Sequence, residues 1–290
     1  MMRRHVLMIL LGAAILDPMG CARTTPTSRL AATKDDGSWF ILKKEMLDLG
    51  AHHQRHLEVF GPSVAGTYNE KVLEAIDRVQ ATAMDGGGYF IGVKADPPES
   101  PIGYNVTLFG QPLLEAPRTT SYCSGASYTA FIESLNLIYP NGATQLSWDR
   151  AESLRMQELD GGRREDRIKF WGKWNDDGFG SHYALVQYSG MGVEVEPVNA
   201  RPGDFMNITW ANGGGHAVVF LGWKLDVNSG EKGLLYWSSQ GATNGLGDQL
   251  VPLERIRHVK VVRMTKPDNL FKFDVETPVE RRIPGDKIAL

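Results

Sequence analysis

The stretch Ser121-Tyr122-Cys123-Ser124-Gly125-Ala126-Ser127 carries a cysteine out of a polar, turn-prone run, Arg118-Thr119-Thr120-Ser121, to the first turn of a segment with helical character, Ser124 to Leu137. The unpaired N–H groups and the positive dipole end at a helix start favour an anion, so a thiol there ionises more readily than a free one. A thiolate is a nucleophile. A lone cysteine is also at home as a small buried apolar residue, so the groups that surround Cys123 decide between the two roles.

The chain has 290 residues, 42% hydrophobic and 22% charged, with a net charge of -3. That length suits one large domain or two small ones. The charge, with no long basic run, gives no general attraction for nucleic acid or anionic membrane, and nucleic-acid binding is not expected. Residues 1–22 form a segment of their own. Met1-Met2-Arg3-Arg4-His5 is basic, and the apolar run Val6 to Leu16 is too short to span a bilayer but is laid out like an export signal. Gly20-Cys21 fits the end of a lipoprotein signal, with Cys21 as the lipidated first residue and a lipid anchor to the membrane; Gly20-Cys21-Ala22 also fits an ordinary small-x-small cleavage site. The expected location is the periplasm or cell envelope. Export gives access to disulfides, yet Cys21 and Cys123 are the only cysteines. With Cys21 lipidated or removed, Cys123 has no partner, which favours a reactive role for it.

Residues 23–37 are polar and without periodicity and read as a tether. Residues 38–115 read as an N-terminal helical or accessory region. A helical pattern runs from Ser38 to Phe60, with Gly50 as a possible interruption; His52, His53 and His56 within it suggest metal ligands, but no nearby carboxylate or cysteine completes a site, so a solvated polar face is expected and no metal. Val72, Ile76, Val79 and Ala83 repeat at helical spacing behind a cap at Asn69. Gly86-Gly87-Gly88 stops that helix; no lysine-serine pair follows, so it reads as a turn rather than a phosphate cradle. Strands are expected at Tyr89 to Val93 and Tyr104 to Phe109, and helices at Ser147 to Leu159 and Ser181 to Gln187, the latter carrying His182 without an evident partner. The aromatic pair Trp171 and Trp174 suits either a wall of a substrate groove or the core.

The last third is rich in strands. Arg201-Pro202-Gly203-Asp204 is a turn launching Phe205 to Trp210; a glycine loop then leads to His216-Ala217-Val218-Val219-Phe220-Leu221-Gly222-Trp223, apolar enough for the middle of a sheet. His216 at the mouth of that strand is a candidate base. A third strand, Leu234 to Gln240, follows a turn. A hairpin folded about Ser229 sets positions near Ala242 opposite His216, which makes Gln240 and Asn244 the amides able to orient the imidazole; Gln240 is preferred because it ends the strand, and Ser238 ranks third. A fourth strand is expected at His258 to Met264.

Cys123-Ser124-Gly125 at a helix start, Pro202-Gly203-Asp204-Phe205 before a strand, and Gly215-His216-Ala217-Val218-Val219-Phe220-Leu221-Gly222 together resemble the bacterial papain-like superfamily of NlpC-type peptidases and CHAP amidases. The resemblance covers about residues 117 to 265 of the sequence. It departs from the common pattern at Tyr122, where aspartate is usual, and in a longer segment between cysteine and histidine. It implies an α+β fold with helices packed on an antiparallel sheet, a catalytic domain at 116–266 and a tail at 267–290. It implies catalysis by Cys123 and His216 without a cofactor and a polar orienting residue on the following strand, for which the register offers Gln240; the Cys123 backbone N–H would serve the oxyanion hole with Tyr122 as a candidate second donor, while Trp171, Trp174 and Asn244 are candidates for the groove. The implied activity is hydrolysis of a peptide or amide bond, with cell-wall peptidoglycan as the default substrate. A thioester-forming acyltransferase and a non-catalytic envelope lipoprotein with a binding role are the alternatives.

Overall fold

The structure is a computed structural model and describes residues 35–91, 103–116, 119–155, 179–280 and 283–290. Residues 1–34, among them Cys21 and most of the stretch expected as a tether, and Trp171 and Trp174 lie outside the described residues. Among the described residues no helix is long and apolar enough to cross a membrane.

Helices and an antiparallel sheet make the fold α+β. Short helices α1 (Lys44–Leu47) and α2 (His56–Phe60) precede α3 (Tyr68–Ala81); the hairpin β1 (Val106–Leu108) and β2 (Gln111–Leu114) leads to α4 (Cys123–Ile138) and α5 (Trp148–Ser153). A six-stranded sheet follows, built from β3 (Gly192–Val195), β4 (Phe205–Trp210), β5 (Gly215–Leu225), β6 (Lys232–Gln240), β7 (Gly245–Pro252) and β8 (Ile256–Met264). Its order is β3-β8-β4-β5-β6-β7, so β5, the most apolar strand, is internal as its composition predicts.

Both faces of the sheet are covered. Phe205, Val219, Leu221, Leu235 and Trp237 face one core shared with Leu73 and Ile76 of α3 and Phe131 and Leu135 of α4. Met206, Ile208, Val218, Phe220 and Tyr236 face a second, against which Trp39, Ile41, Ile288 and Leu290 pack. Residues near both ends of the described chain thus seal the face that α3 and α4 leave open.

The expected long helix over Ser38 to Phe60 does not form. Phe40 to Leu42 run instead beside β5, with the Leu42 N–H donating to the Trp223 carbonyl at 2.8 Å and the Trp223 N–H to the Phe40 carbonyl at 3.0 Å. Gly222 permits this approach, since a Cβ there would lie 2.4 Å from Leu42 Cδ2. Asp35 pairs with Arg263 and Asp36 with Arg201, each at 2.6 Å, so the end of the expected tether is held against the fold. Of the strand expected over Tyr89 to Val93, the described residues 89–91 carry an isolated bridge from Tyr89 to Ser121, and Gly92 and Val93 lie outside the described residues. His182, expected to be unpartnered, meets Glu194 at 2.9 Å and Gln187 at 3.2 Å. Strand β7 was not foreseen.

The turn before β4 is a buried charge hub. Gly203 has φ +89, and a Cβ there would sit 2.7 Å from the Asn69 carbonyl. Asp204, fully buried, accepts from Arg263 Nε at 2.9 Å and Nη2 at 2.8 Å, from the Asn69 amide at 2.7 Å and from the Arg201 N–H at 2.8 Å. Asn69, expected as a helix cap, is thus a buried clamp between α3 and the β4 turn. Burial opposes the charge on Arg263, but Asp204 and Asp35 outweigh it and hold the guanidinium above its ordinary pKa. Removing one member of such a pair strands the other in a dry interior. Asp204→Ala is therefore expected to lower the unfolding free energy by about 3–5 kcal/mol in urea titrations, and a loss below about 1 kcal/mol, the scale of an exposed pair, would contradict the hub.

Candidate functional site

Cys123 opens α4, and the chain before it is held by backbone contacts to the sheet edge. The Gly88 N–H donates to the Asn244 carbonyl at 2.7 Å, the Leu246 N–H to the Gly86 carbonyl at 2.8 Å, and the Ser121 N–H to the Gly88 carbonyl at 2.9 Å. Ser121 Oγ also meets Ser239 Oγ at 2.7 Å. The triple glycine is thus a strap joining the β6–β7 turn to the residue two before the cysteine. Its backbone requires glycine: φ is +91, +76 and +98 at Gly86, Gly87 and Gly88, and Gly245 opposite has φ +115 with a Cβ position 2.0 Å from the Gly86 carbonyl oxygen.

A cavity of about 310 Å³ is lined by Cys123, His216 and Gln240, with Tyr122, Trp210, Tyr236 and Arg255 among its other walls. The sequence places Cys123 and His216 nearly a hundred positions apart; the fold puts both on this one space. Cys123 is in no disulfide. At 1% exposure its residue surface is almost wholly covered, so the cavity is its route to any reactant. Cys123 is the first residue of helix α4, so the positive end of the helix dipole lies beside the cavity that it lines.

Gln240 stands level with His216. The paired residues Val219 and Trp237 sum to 456, as do His216 and Gln240, so continuing that register three residues toward the strand end brings the two together. Ala242 was expected in that position. Pairing begins at Leu225 with Lys232, a sum of 457 rather than the 458 of a turn centred on Ser229, and a β-bulge between Phe220 and Gly222 removes one more. The Gln240 amide nitrogen donates to Thr243 Oγ1 at 2.6 Å and the Gly247 carbonyl at 3.0 Å. This commits the NH2 group and leaves Oε1 as the acceptor. Gln240 Oε1 and His216 Nε2 are both sealed from solvent, and neither meets a partner in full hydrogen-bond geometry. The Gln240 side chain is nonetheless close enough to raise the proton affinity of His216. The two atoms are complementary, and a small rotation that joins them satisfies both.

The other candidates fall elsewhere. Ser238 Oγ donates to the Ala217 carbonyl at 2.6 Å, inside the sheet. Asn244 is exposed, sits in the left-handed region with φ 48, and lines a neighbouring cavity of about 710 Å³ with Gly87, Gly88 and Thr119, not the cysteine cavity. Tyr122 does line the cysteine cavity. Sequence reading missed Tyr236 and Arg255. Tyr236 lies within 5.3 Å of the His216 ring and donates its hydroxyl to Gln249 Oε1 at 2.9 Å. Burial first, then the charge that Cys123 would carry, hold the Tyr236 phenol above its ordinary pKa. Arg255 lies over the Trp210 ring at 5.7 Å and brings a cation to the rim. Tyr236 follows from β6 alternation once Gln240 is fixed, whereas Arg255 follows only from the unforeseen β7.

Burial pushes His216 down to about 4, against the smaller upward pull of Gln240. The ring is therefore neutral near pH 7. The set brings a neutral imidazole and a thiol at a helix start to one cavity, the two kinds of group that serve as base and nucleophile in covalent catalysis. Comparison of the chain with family models, curated proteins and solved structures finds no match in any of the three.

The depressed value links His216 to stability. Between about 4 and the ordinary 6.5 the unfolded chain binds a proton at this ring that the folded chain does not, so the native state loses stability as pH falls through that window. Relative to His216→Asn, the wild type should lose on the order of 3 kcal/mol between pH 7 and pH 4. Urea midpoints that fall in parallel for the two proteins would refute the buried neutral imidazole.

Proposed function

We propose that the protein is an exported cysteine hydrolase of the papain-like, NlpC-type kind that cleaves a peptide or amide bond, with cell-wall peptidoglycan as its substrate class. The observation that carries this reading is the convergence on one cavity of Cys123 at the first position of a helix, His216 at a strand end, and Gln240 level with it. The export signal and the lipid anchor at Cys21 belong to the same proposal and rest on the sequence of residues 1–22.

Neutral His216 takes the Cys123 proton as the sulfur attacks the carbonyl carbon, so thiolate and imidazolium arise together rather than standing preformed. With Gln240 Oε1 accepting from Nε2–H, Nδ1 keeps its lone pair as the base. The imidazolium then returns the proton to the departing amine. Oxyanion charge develops at the positive end of α4, where the Cys123 backbone N–H is the donor and Tyr122 borders the same space. Water, activated by the again neutral His216, releases the acyl group from sulfur. Arg255 at the rim suits a substrate with a carboxylate near the scissile bond.

The test is incubation of the purified chain, kept under reductant, with intact peptidoglycan, reading new amines and fragment masses. Cys123→Ala is expected to lower the rate at least about a thousandfold, and His216→Ala by about 10²–10⁴-fold. Alkylation of Cys123 by iodoacetamide should slow in His216→Ala at pH 7. A labelling rate that tracks a free thiol near 8.5 and ignores the histidine, together with no released amines, would leave the protein without this activity.

A further inference from the structure

The cysteine cavity does not use another buried polar cluster on the far side of β7. His53 and His56 bracket the turn into α2, and both reach Asp248 on β7. His56 is fully buried, with Nε2 2.8 Å from Asp248 Oδ1 and Nδ1 2.6 Å from Asp77 Oδ1. His53 Nε2 meets Asp248 Oδ2 in an ion pair, and its side chain is 8% exposed. This overturns the expected solvated face: Asp248, far off in sequence, and Asp77 supply the missing carboxylates.

We propose that His53, His56 and Asp248 bind a divalent transition cation of the zinc class. Their donor atoms lie within 4.8 Å of one another. Two imidazole nitrogens and a carboxylate oxygen are a ligand set that zinc accepts, with a fourth position for water or the second carboxylate oxygen. Two further observations favour a cation. The two rings lie 4.0 Å apart at an interplanar angle of 31°, a placement that repels if both are protonated and suits neutral ligands converging on one point. Asp77 backs His56 through Nδ1, which fixes the tautomer that presents Nε2 inward, the usual outer-shell arrangement of a ligating histidine. A proton on His56 would also hold the carboxylates together, and the experiment is set against that alternative.

The site's role is a clasp. It fastens the loop before α2 to β7, an edge strand whose Asp248 N–H already donates to the Ala51 carbonyl at 2.6 Å. The full chain, carrying no affinity histidines and with Cys21→Ser and Cys123→Ser so that neither thiol takes metal, is stripped with chelator and titrated with zinc by calorimetry and thermal melting. Expected are stoichiometric binding and a melting temperature that rises until the metal matches the protein. Asp77→Asn should weaken zinc binding about 10- to 100-fold, a change that a purely structural hydrogen bond would not cause. His53→Ala, which removes a ligand from a turn and leaves the core intact, should abolish the thermal shift. No binding and no shift in the parent chain, or equal binding by His53→Ala, would overturn the proposal.

Discussion

Asp204 is where the layers of the molecule are tied. A carboxylate with no exposed surface is costly unless its lone pairs are filled, and here Arg263 from β8, Asn69 from α3 and the Arg201 N–H fill them at 2.7–2.9 Å. The Asn69 amide also reaches the Pro202 carbonyl at 2.9 Å. This interaction sets the starting point of β4 and, through the register of Phe205 with Val219, of β5 as well. The height of His216 along the sheet follows from that register. A slip of one residue would turn the imidazole to the opposite face.

The cysteine is placed by a different device. Helix α4 lies over β5 and β6, but packing alone leaves a helix free to slide by part of a turn. The glycine strap removes that freedom, because Gly86 and Gly88 bond to the start of β7 on one side and to Ser121 on the other. The same β6–β7 connection supplies Thr243, and the start of β7 supplies Gly247, the acceptors that orient the Gln240 amide. One turn therefore references the histidine's neighbour and the segment delivering the cysteine to a common frame.

What was legible in the sequence follows from where single residues carry enough physics. Helix α3 was readable because Val72, Ile76 and Val79 repeat on one face, and β5 because an unbroken apolar run has no polar face to solvate. Cys123 at a helix start and His216 at a strand mouth were readable for the same reason. Strand β7 was hidden by its glycines: Gly245 and Gly247 are there because Gly86 and Ala51 pass within reach of any Cβ, and two glycines with a closing Pro252 look like a loop. The position of Ala242 was misjudged because a bulge leaves no mark in alternation that has apolar residues on both faces. Phe40 and Leu42 look helical in isolation and become a strand-like crossing only because Gly222 makes room. His56 looked exposed because its carboxylates come from Asp77 and from Asp248, 192 positions away.

Two of these failures, the hidden strand and the partner of His56, meet in β7, and that says something about the site. Gly245 admits the strap, Gly247 holds the Gln240 amide, and Asp248 receives the two histidines, all within four consecutive positions. An edge strand is ordinarily the part of a sheet freest to fray. Here its exposed side is engaged by Gly86, Ala51 and His52, the last with Nδ1 3.0 Å from the Leu246 carbonyl. Because the Gln240 amide nitrogen hangs from this strand, any movement of β7 moves the acceptor facing His216. The ring's orientation is then as firm as the contacts on the outer side of β7, among them those that His53 and His56 make with Asp248.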